Sequence, residues 1–476
     1  MQSRRRSHDP HSYGCQSSPF RTRTLNAVGP ITAPRAIGGS LLLGHVAPLL
    51  RRPLDFMDSL RRQGPVVRVL LGRVVVYVVT DAELTHEMLT SQSRCFGKGG
   101  RLIEALSRFA GNGLATVPDG EAHRTQRKLM QPMFNRPFIA ARGDVMFDVA
   151  RAAVASWAEG VPRELDEDMQ ELTLSVFLAA LLGSEPPAEV RRRFQRVLPD
   201  VMAGTIRQTV LPAYLGRIPT PTQRRQQRGL VELRASISDL VDAHERRRPA
   251  GDHGPAGLLD VLLGAGMSRT QLEDEVITFV TTNGQASTTT VLWALHEIGR
   301  SPDVHERLRA EVEQAAPGRP LRGSDLPSLV YTRQVVQETM RLYGPAWLLT
   351  RTVNEATVLG GFSIPKGATA VFSPYILHRD PNVYPHPGRF DPDRWSPERV
   401  GSIPRTAYQP FGSGTRQCIG ENFAWSEMII ILAEVAKHWT LTADPGVVPR
   451  MVPRVTIHPD RVVMTPHAPS AAVGDQ

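Results

Sequence analysis

Hydrophobic positions change their spacing several times along the chain, and each change predicts an element. Val66 to Leu71 and Val74 to Thr80 are β-branched runs around Gly72-Arg73, the pattern of a hairpin, so a small sheet is expected near the N-terminus. A short helix, Pro53 to Gln63, precedes it. From Val145 to Gly266 the spacing is helical, with breaks at Gly183 to Pro187, Gly216 to Pro221 and Pro249 to Gly257. Ser268 and Gln271 have capping-box spacing and open a long helix that runs to about Arg300. Its ~30 residues would span ~45 Å, the width of a domain. A further helix begins near Leu329, Val353 to Gly361 and Ile364 to Pro374 read as hairpin strands, and Asn422 to Val435 is an apolar helix. Between Cys95 and Val117, glycines interrupt Leu102, Ile103, Leu106 and Phe109; a mobile substrate-facing stretch and an ordinary surface loop with a short helix both fit.

Composition narrows the class. The formal charge is +9, but residues 1–30 hold five arginines against the single acid Asp9, which leaves +5 over the other 446 residues. The basic balance is largely that of a tail, expected to be a disordered extension because it lacks the apolar core of a targeting signal. Cys15, Cys95 and Cys418 form neither a disulfide framework nor a zinc pattern, the usage of a reducing, cytoplasmic compartment. No apolar run reaches the ~18 residues of a membrane span, so no membrane anchor is expected.

The chemistry concentrates at Phe411-Gly412-Ser413-Gly414-Thr415-Arg416-Gln417-Cys418-Ile419-Gly420. Glycines allow a tight loop to approach a flat cofactor, and Cys418 stands just before a helix, where the dipole and free N–H groups favour a thiolate. A lone free cysteine is more often an inert core residue. Here five specified positions in ten, with a helix in register behind them, argue for ligation. The pattern Phe-x-x-Gly-x-Arg-x-Cys-x-Gly resembles the haem-binding loop of the cytochrome P-450 superfamily, and the resemblance extends over residues 31 to 466.

The resemblance implies a mainly α-helical, triangular domain with a small β-rich region, holding haem b between the long central helix and the cysteine loop. It makes Cys418 the axial ligand of the haem iron, with Phe411, Gly412 and Gly420 shaping the loop. His123 and Arg127, four apart on one helical face, match the family's pair for a haem propionate, and Arg351 and Arg416 fall where further propionate ligands stand. Glu338 and Arg341, with Arg394 of Pro392-Asp393-Arg394-Trp395, resemble the family's structural Glu-Arg-Arg network. His378 to Pro381 match a turn of the family, and the Pro-rich break near residue 219 matches its lid over the substrate channel. Residues 1–30 and 467–476 are then disordered ends flanking a single catalytic domain.

One segment departs from the pattern. Asp274-Glu275 and Trp293-Ala294-Leu295 align without gaps, yet the usual Ala-Gly-x-(Asp/Glu)-Thr-Thr becomes Thr282-Asn283-Gly284-Gln285-Ala286-Ser287. Gln285 can position a water but cannot supply a titratable proton, Ala286 can do neither, and Ser287 lies about 100° further round the helix. Three routes remain open: ordered water with Ser287, Thr282 or Asn283, aided by a substrate hydroxyl; direct use of peroxide; or a rearrangement or coupling reaction in place of oxygen insertion. The first is favoured because the other anchors are intact.

The expected activity is therefore R–H + O2 + 2 e⁻ + 2 H⁺ → R–OH + H2O. The chain ends about 60 residues past Cys418, so electrons are expected from a separate ferredoxin or flavodoxin with its NAD(P)H-dependent reductase, steered by a basic surface, onto a monomer. Phe279, Thr282, Asn283, Ala286, Ala346, Trp347, Leu348 and Leu349 are expected to line an apolar pocket for a medium-sized substrate. The chain is similar to bacterial sesquiterpene-oxidising members. Two other classes remain open: a haem sensor, which no ferredoxin would reduce, and a nucleic-acid binder resting on the N-terminal arginines, which deletion of residues 1–30 would abolish.

Overall fold

The computed structural model describes residues 30–182, 189, 191–194, 196–197, 201, 220–247 and 257–469. The expected basic tail over 1–29, the break at 183–187, nearly all of the Pro-rich break near 219, most of the break at 249–257 and the last seven residues lie outside the described residues. The fold is mainly α-helical with small sheets, and the chain divides into two compact units.

The smaller unit comprises 30–97, 350–372 and 412–416 among the described residues. Val66–Leu71 and Val74–Val79 pair antiparallel, as their β-branched composition predicts, and Gly72 turns between them at φ +61°. Val74–Val79 then pairs parallel with Thr369–Phe372, and Leu349–Val353 and Phe96–Lys98 complete five strands. The stretch expected as one simple hairpin after Val353 is thus shared. Thr357–Leu359 and Phe362–Ile364 form a hairpin of their own across Gly360 and Gly361, both at positive φ, while Thr369–Phe372 joins the larger sheet.

The larger unit holds most helices. Its axis is Arg269–Arg300, capped by Ser268, whose Oγ accepts the Gln271 N–H at 3.3 Å. This central helix is buried almost all round from Asp274 to Ile298, because Leu165–Phe177, Val330–Tyr343 and Glu421–His438 each cover a side of it. The Gly-rich stretch after Cys95 is a short strand, Phe96–Lys98, followed by a helix, Arg101–Ala110, that buries Ile103, Ala105, Phe109 and Ala110. The turn after that helix is pinned to the central helix: Asp274 accepts from the Asn112 N–H at 2.9 Å and from Arg234 at 2.8 Å, and Glu275 accepts from the Leu114 N–H at 2.8 Å. Burial raises the Glu275 carboxyl to about 7, with Leu114 opposing. Gly111, at φ +54°, has its Cβ direction filled by the Asp274 carboxylate, so only glycine fits. At the far end, Val463–His467 pairs with Thr440–Ala443 and Arg163–Glu164.

Candidate active site

The cysteine loop is closed by its own backbone: the Cys418 N–H donates to the Phe411 carbonyl at 2.9 Å. Gly412 and Gly414 both take φ +71°, which non-glycine residues rarely adopt. The following helix, Glu421–His438, starts one residue earlier than its apolar pattern predicts and is capped by Gly420. A Cβ built on Gly420 would stand 3.8 Å from Cys418 Sγ and 3.9 Å from the Phe134 ring, and Phe134 in turn stacks on Phe279 of the central helix at 5.2 Å.

Cys418 is a free thiol with accessible surface. Burial pushes its pKa up, and the Gly420 N–H pulls it back only in part. The lowering expected from the helix terminus is outweighed by desolvation. A thiol in such a place gives up its proton fully when a metal cation takes it as ligand.

His123 and Arg127 do share one face of the helix Glu121–Met130, with His123 buried. Arg127 Nη1 donates to the Gln417 carbonyl at 2.7 Å, so this guanidinium also braces the residue next to the cysteine. Arg351, in the smaller unit, is buried, donates to its neighbour's carbonyl at 2.9 Å and lies over the Phe372 ring. Arg416, also there, ends the one-turn helix Gly414–Arg416.

On the central helix, Thr282, Asn283, Gln285 and Ala286 are accessible although the residues on either side are buried. They form an accessible stripe along the helix. The Thr282 hydroxyl bonds the Thr278 carbonyl one turn back at 2.7 Å, so it is engaged in the helix. Ser287 is buried, in keeping with its position about 100° further round the helix from Ala286. Phe279 is buried and stacks on Phe134. Ala346, Trp347 and Leu348 are half-buried on the extended segment before Leu349, and Trp347 is tethered by its indole N–H to the Arg454 carbonyl at 2.8 Å.

Glu338 pairs with Arg341 as the i, i+3 spacing allows, and Arg394, which the resemblance added, reaches the same carboxylate. Arg341 grips both oxygens of Glu338 at 2.8 Å, with both side chains fully buried. Arg394 approaches at 3.4 Å, and the Trp395 indole and the Asp391 N–H also donate to the same carboxylate at 2.9 and 3.0 Å.

Sequence reasoning passed over Glu427. It sits inside the apolar helix Glu421–His438, fully buried, and accepts from Asn283 Nδ2 at 3.3 Å; the same amide reaches the Thr173 carbonyl at 3.4 Å. Burial raises its carboxyl to about 8, opposed by Ser287 and Asn283. The signal was present: an acid inside the run Phe423 to Ala436 has no solvent face and must have a partner.

Among the described residues, no three or more His, Cys, Asp or Glu side chains gather as a metal site, so a bare-ion centre has no donor set there. A haem suits what is present, since it brings its own equatorial nitrogens and asks the protein for one thiolate. The chain belongs to the cytochrome P450 family, whose sequence model matches residues 36–468. It is similar to cyclooctatin synthase of Streptomyces melanosporofaciens, 36% identical over 90% of this chain and 95% of that protein. It resembles cyclooctat-9-en-7-ol 5-monooxygenase of the same organism, 36% identical over 88% and 91%. Pentalenene oxygenase of Streptomyces avermitilis is 34% identical over 90% and 96%. The crystal structure of the cytochrome P450DA heme domain shares the fold, with a TM-score of 0.81 over 93% of this chain at 21% identity. The protein is thus a haem b monooxygenase, and no described helix is long and apolar enough to cross a membrane.

Proposed function

We propose that this enzyme inserts one oxygen atom from O2 into a terpene-like, largely apolar substrate. Cys418 is the iron's axial ligand in this reading, and the bound haem supplies the oxygen activation. His123, Arg127, Arg351 and Arg416 hold its propionates, and the Glu338 cluster is a structural brace. The observation that carries the reading is the accessible thiol on the same unit as the open stripe of the central helix, in a chain whose relatives are named for oxidising terpenoid compounds. Thr282, Gln285 and Ala286, with Ala346 and Leu348, offer a substrate no charged group. Electrons come from a ferredoxin or flavodoxin with its reductase, and the enzyme works as a cytoplasmic monomer.

A second reading, a hydroxylated terpene as substrate, is favoured by the lack of a titratable side chain from Thr282 to Ser287, since a substrate hydroxyl could carry protons there. Optical titration of the ferric enzyme with terpene hydrocarbons and their alcohols separates the two. A spin-state change with plain hydrocarbons supports the first; a change with alcohols alone would replace it with the second. Product formation from peroxide but not from O2 with a ferredoxin would overturn both.

A further inference from the structure

Helix Arg101–Ala110 with the turn after it, and helix Pro221–Arg247, meet the central helix at two adjacent carboxylates that the proposed reaction does not use. Asp274 takes the Asn112 N–H through Oδ2 at 2.9 Å and Arg234 Nη2 through Oδ1 at 2.8 Å; the same Nη2 reaches the Phe109 carbonyl at 3.2 Å. Glu275 takes the Leu114 N–H through Oε2 at 2.8 Å. The turn is seated without slack: a Cβ on Gly111 would run into the Asp274 carboxylate, and one on Gly113 into the Thr278 hydroxyl and the Asp274 carbonyl. Behind that contact two polar atoms are left over. Glu275 Oε1 and Thr278 Oγ are both buried without a hydrogen-bond partner, three residues apart on one helical face.

A buried carboxylate held by a single backbone N–H, with a second carboxylate next to it in sequence, is poorly compensated unless water reaches it. Water enters only if the turn lifts. We propose that Glu275 is a pH-sensitive latch: while protonated it lets the turn at 111–114 and the helix before it close on the central helix, and once charged it drives them apart toward solvent. The proton leaves to solvent and no other covalent bond changes. A lifted turn frees Arg101–Ala110, the stretch whose spacing fits a substrate-facing segment, so the latch sets how readily an apolar ligand enters. The sign follows from the environment. Burial, aided by Asp274 and opposed by Leu114, raises the Glu275 carboxyl from an ordinary 4.5 to about 7, so its hold on the turn is fully present below about pH 4.5 and is lost as pH rises through 7. Among the described residues Asp274 is the one charge acting on Glu275. Arg234, from Pro221–Arg247, is paired with Asp274; the turn offers the Asn112 and Leu114 N–H groups; and Gln126 of Glu121–Met130, which is uncharged, holds the Asn112 carbonyl at 3.0 Å.

Hydrogen–deuterium exchange of the full-length haem-loaded enzyme, read by mass spectrometry on peptides covering 111–117 and corrected for the intrinsic pH dependence of exchange, tests the latch without any substrate. In the wild type, protection of this turn should fall by about tenfold per pH unit between about pH 5 and 7 and level off above about 8, while the hairpin Val66–Val79 stays flat. Glu275→Gln keeps an acceptor for the Leu114 N–H but does not titrate, so its protection should be independent of pH. Asp274→Asn keeps an acceptor for Asn112 and removes the like charge, so its profile should level off at a lower pH than the wild type; it decides the matter if Glu275→Gln fails to fold. For a terpene hydrocarbon that changes the ferric spin state, the association rate in stopped flow should rise with pH over the same range in the wild type and stay flat in Glu275→Gln. Flat corrected protection in the wild type, an unchanged slope in Glu275→Gln, or association that ignores pH in the wild type overturns the proposal. The substrate arm rests on the terpene reading: a wild type that responds to no terpene overturns that reading instead, and the exchange arm keeps the two apart.

Discussion

Replacing Glu338 with alanine removes the acceptor on which four donors converge. Arg341 is fully buried and keeps three carbonyl contacts, to His378 at 3.0 Å, Pro387 at 2.7 Å and Arg389 at 3.1 Å, but it loses its bidentate counter-charge. The Trp395 indole and the Asp391 N–H are also left without their acceptor. The Arg394 contact, at 3.4 Å, is too long to add much. An uncompensated buried charge costs ~3–5 kcal/mol. Urea unfolding of the haem-loaded Glu338→Ala, followed by tryptophan fluorescence, should show a loss of that size relative to wild type. Arg341→Ala should lose a similar amount, and the double variant should be less destabilised than the sum of the singles by ~2–3 kcal/mol, since the second substitution removes a group already orphaned. A loss below ~1 kcal/mol in Glu338→Ala, or strict additivity in the cycle, would refute the account of this cluster as a buried, mutually dependent set.

Arg127→Ala removes a charged hydrogen bond to the Gln417 carbonyl, so haem should transfer faster to an acceptor protein and stability should fall by ~1.5–3 kcal/mol; unchanged haem retention would remove Arg127 from the loop's support. Gly111→Ala drives a methyl group into the Asp274 carboxylate from a left-handed backbone, and limited proteolysis should show the turn at 111–114 cut faster, with a stability loss of ~1–3 kcal/mol. Glu427 has a folded-state pKa of about 8, above its ordinary unfolded value, so its contribution is fully present below pH ~4.5 and is lost as pH rises toward 8. That slope amounts to at most roughly 5 kcal/mol and should be much shallower in Glu427→Gln, as read from urea midpoints across the range. Cys418→Ser should bind haem without the optical signature of thiolate ligation; retention of that signature would mean another residue is the ligand.

The sequence alone determined what depends on local spacing. The hairpin at Val66 to Val79, the cap at Ser268, the central helix to Arg300, and the pairing of Glu338 with Arg341 three residues away all follow from chemistry written within one turn or one strand. The family could be read from the cysteine loop for the same reason: its glycines, arginine and cysteine lie within ten consecutive residues. Tertiary structure decided whatever requires distant segments to meet. Whether Cys418 gains more from a helix terminus than it loses to burial depends on the surrounding protein, and burial wins. Ser287 could be placed on the central helix from sequence, but that it turns away from the open stripe toward Glu427, 140 residues later, depends on how two helices pack. Periodicity gives the face of a helix, whereas only packing gives what that face meets, and it is packing that puts an acid where the central helix has none.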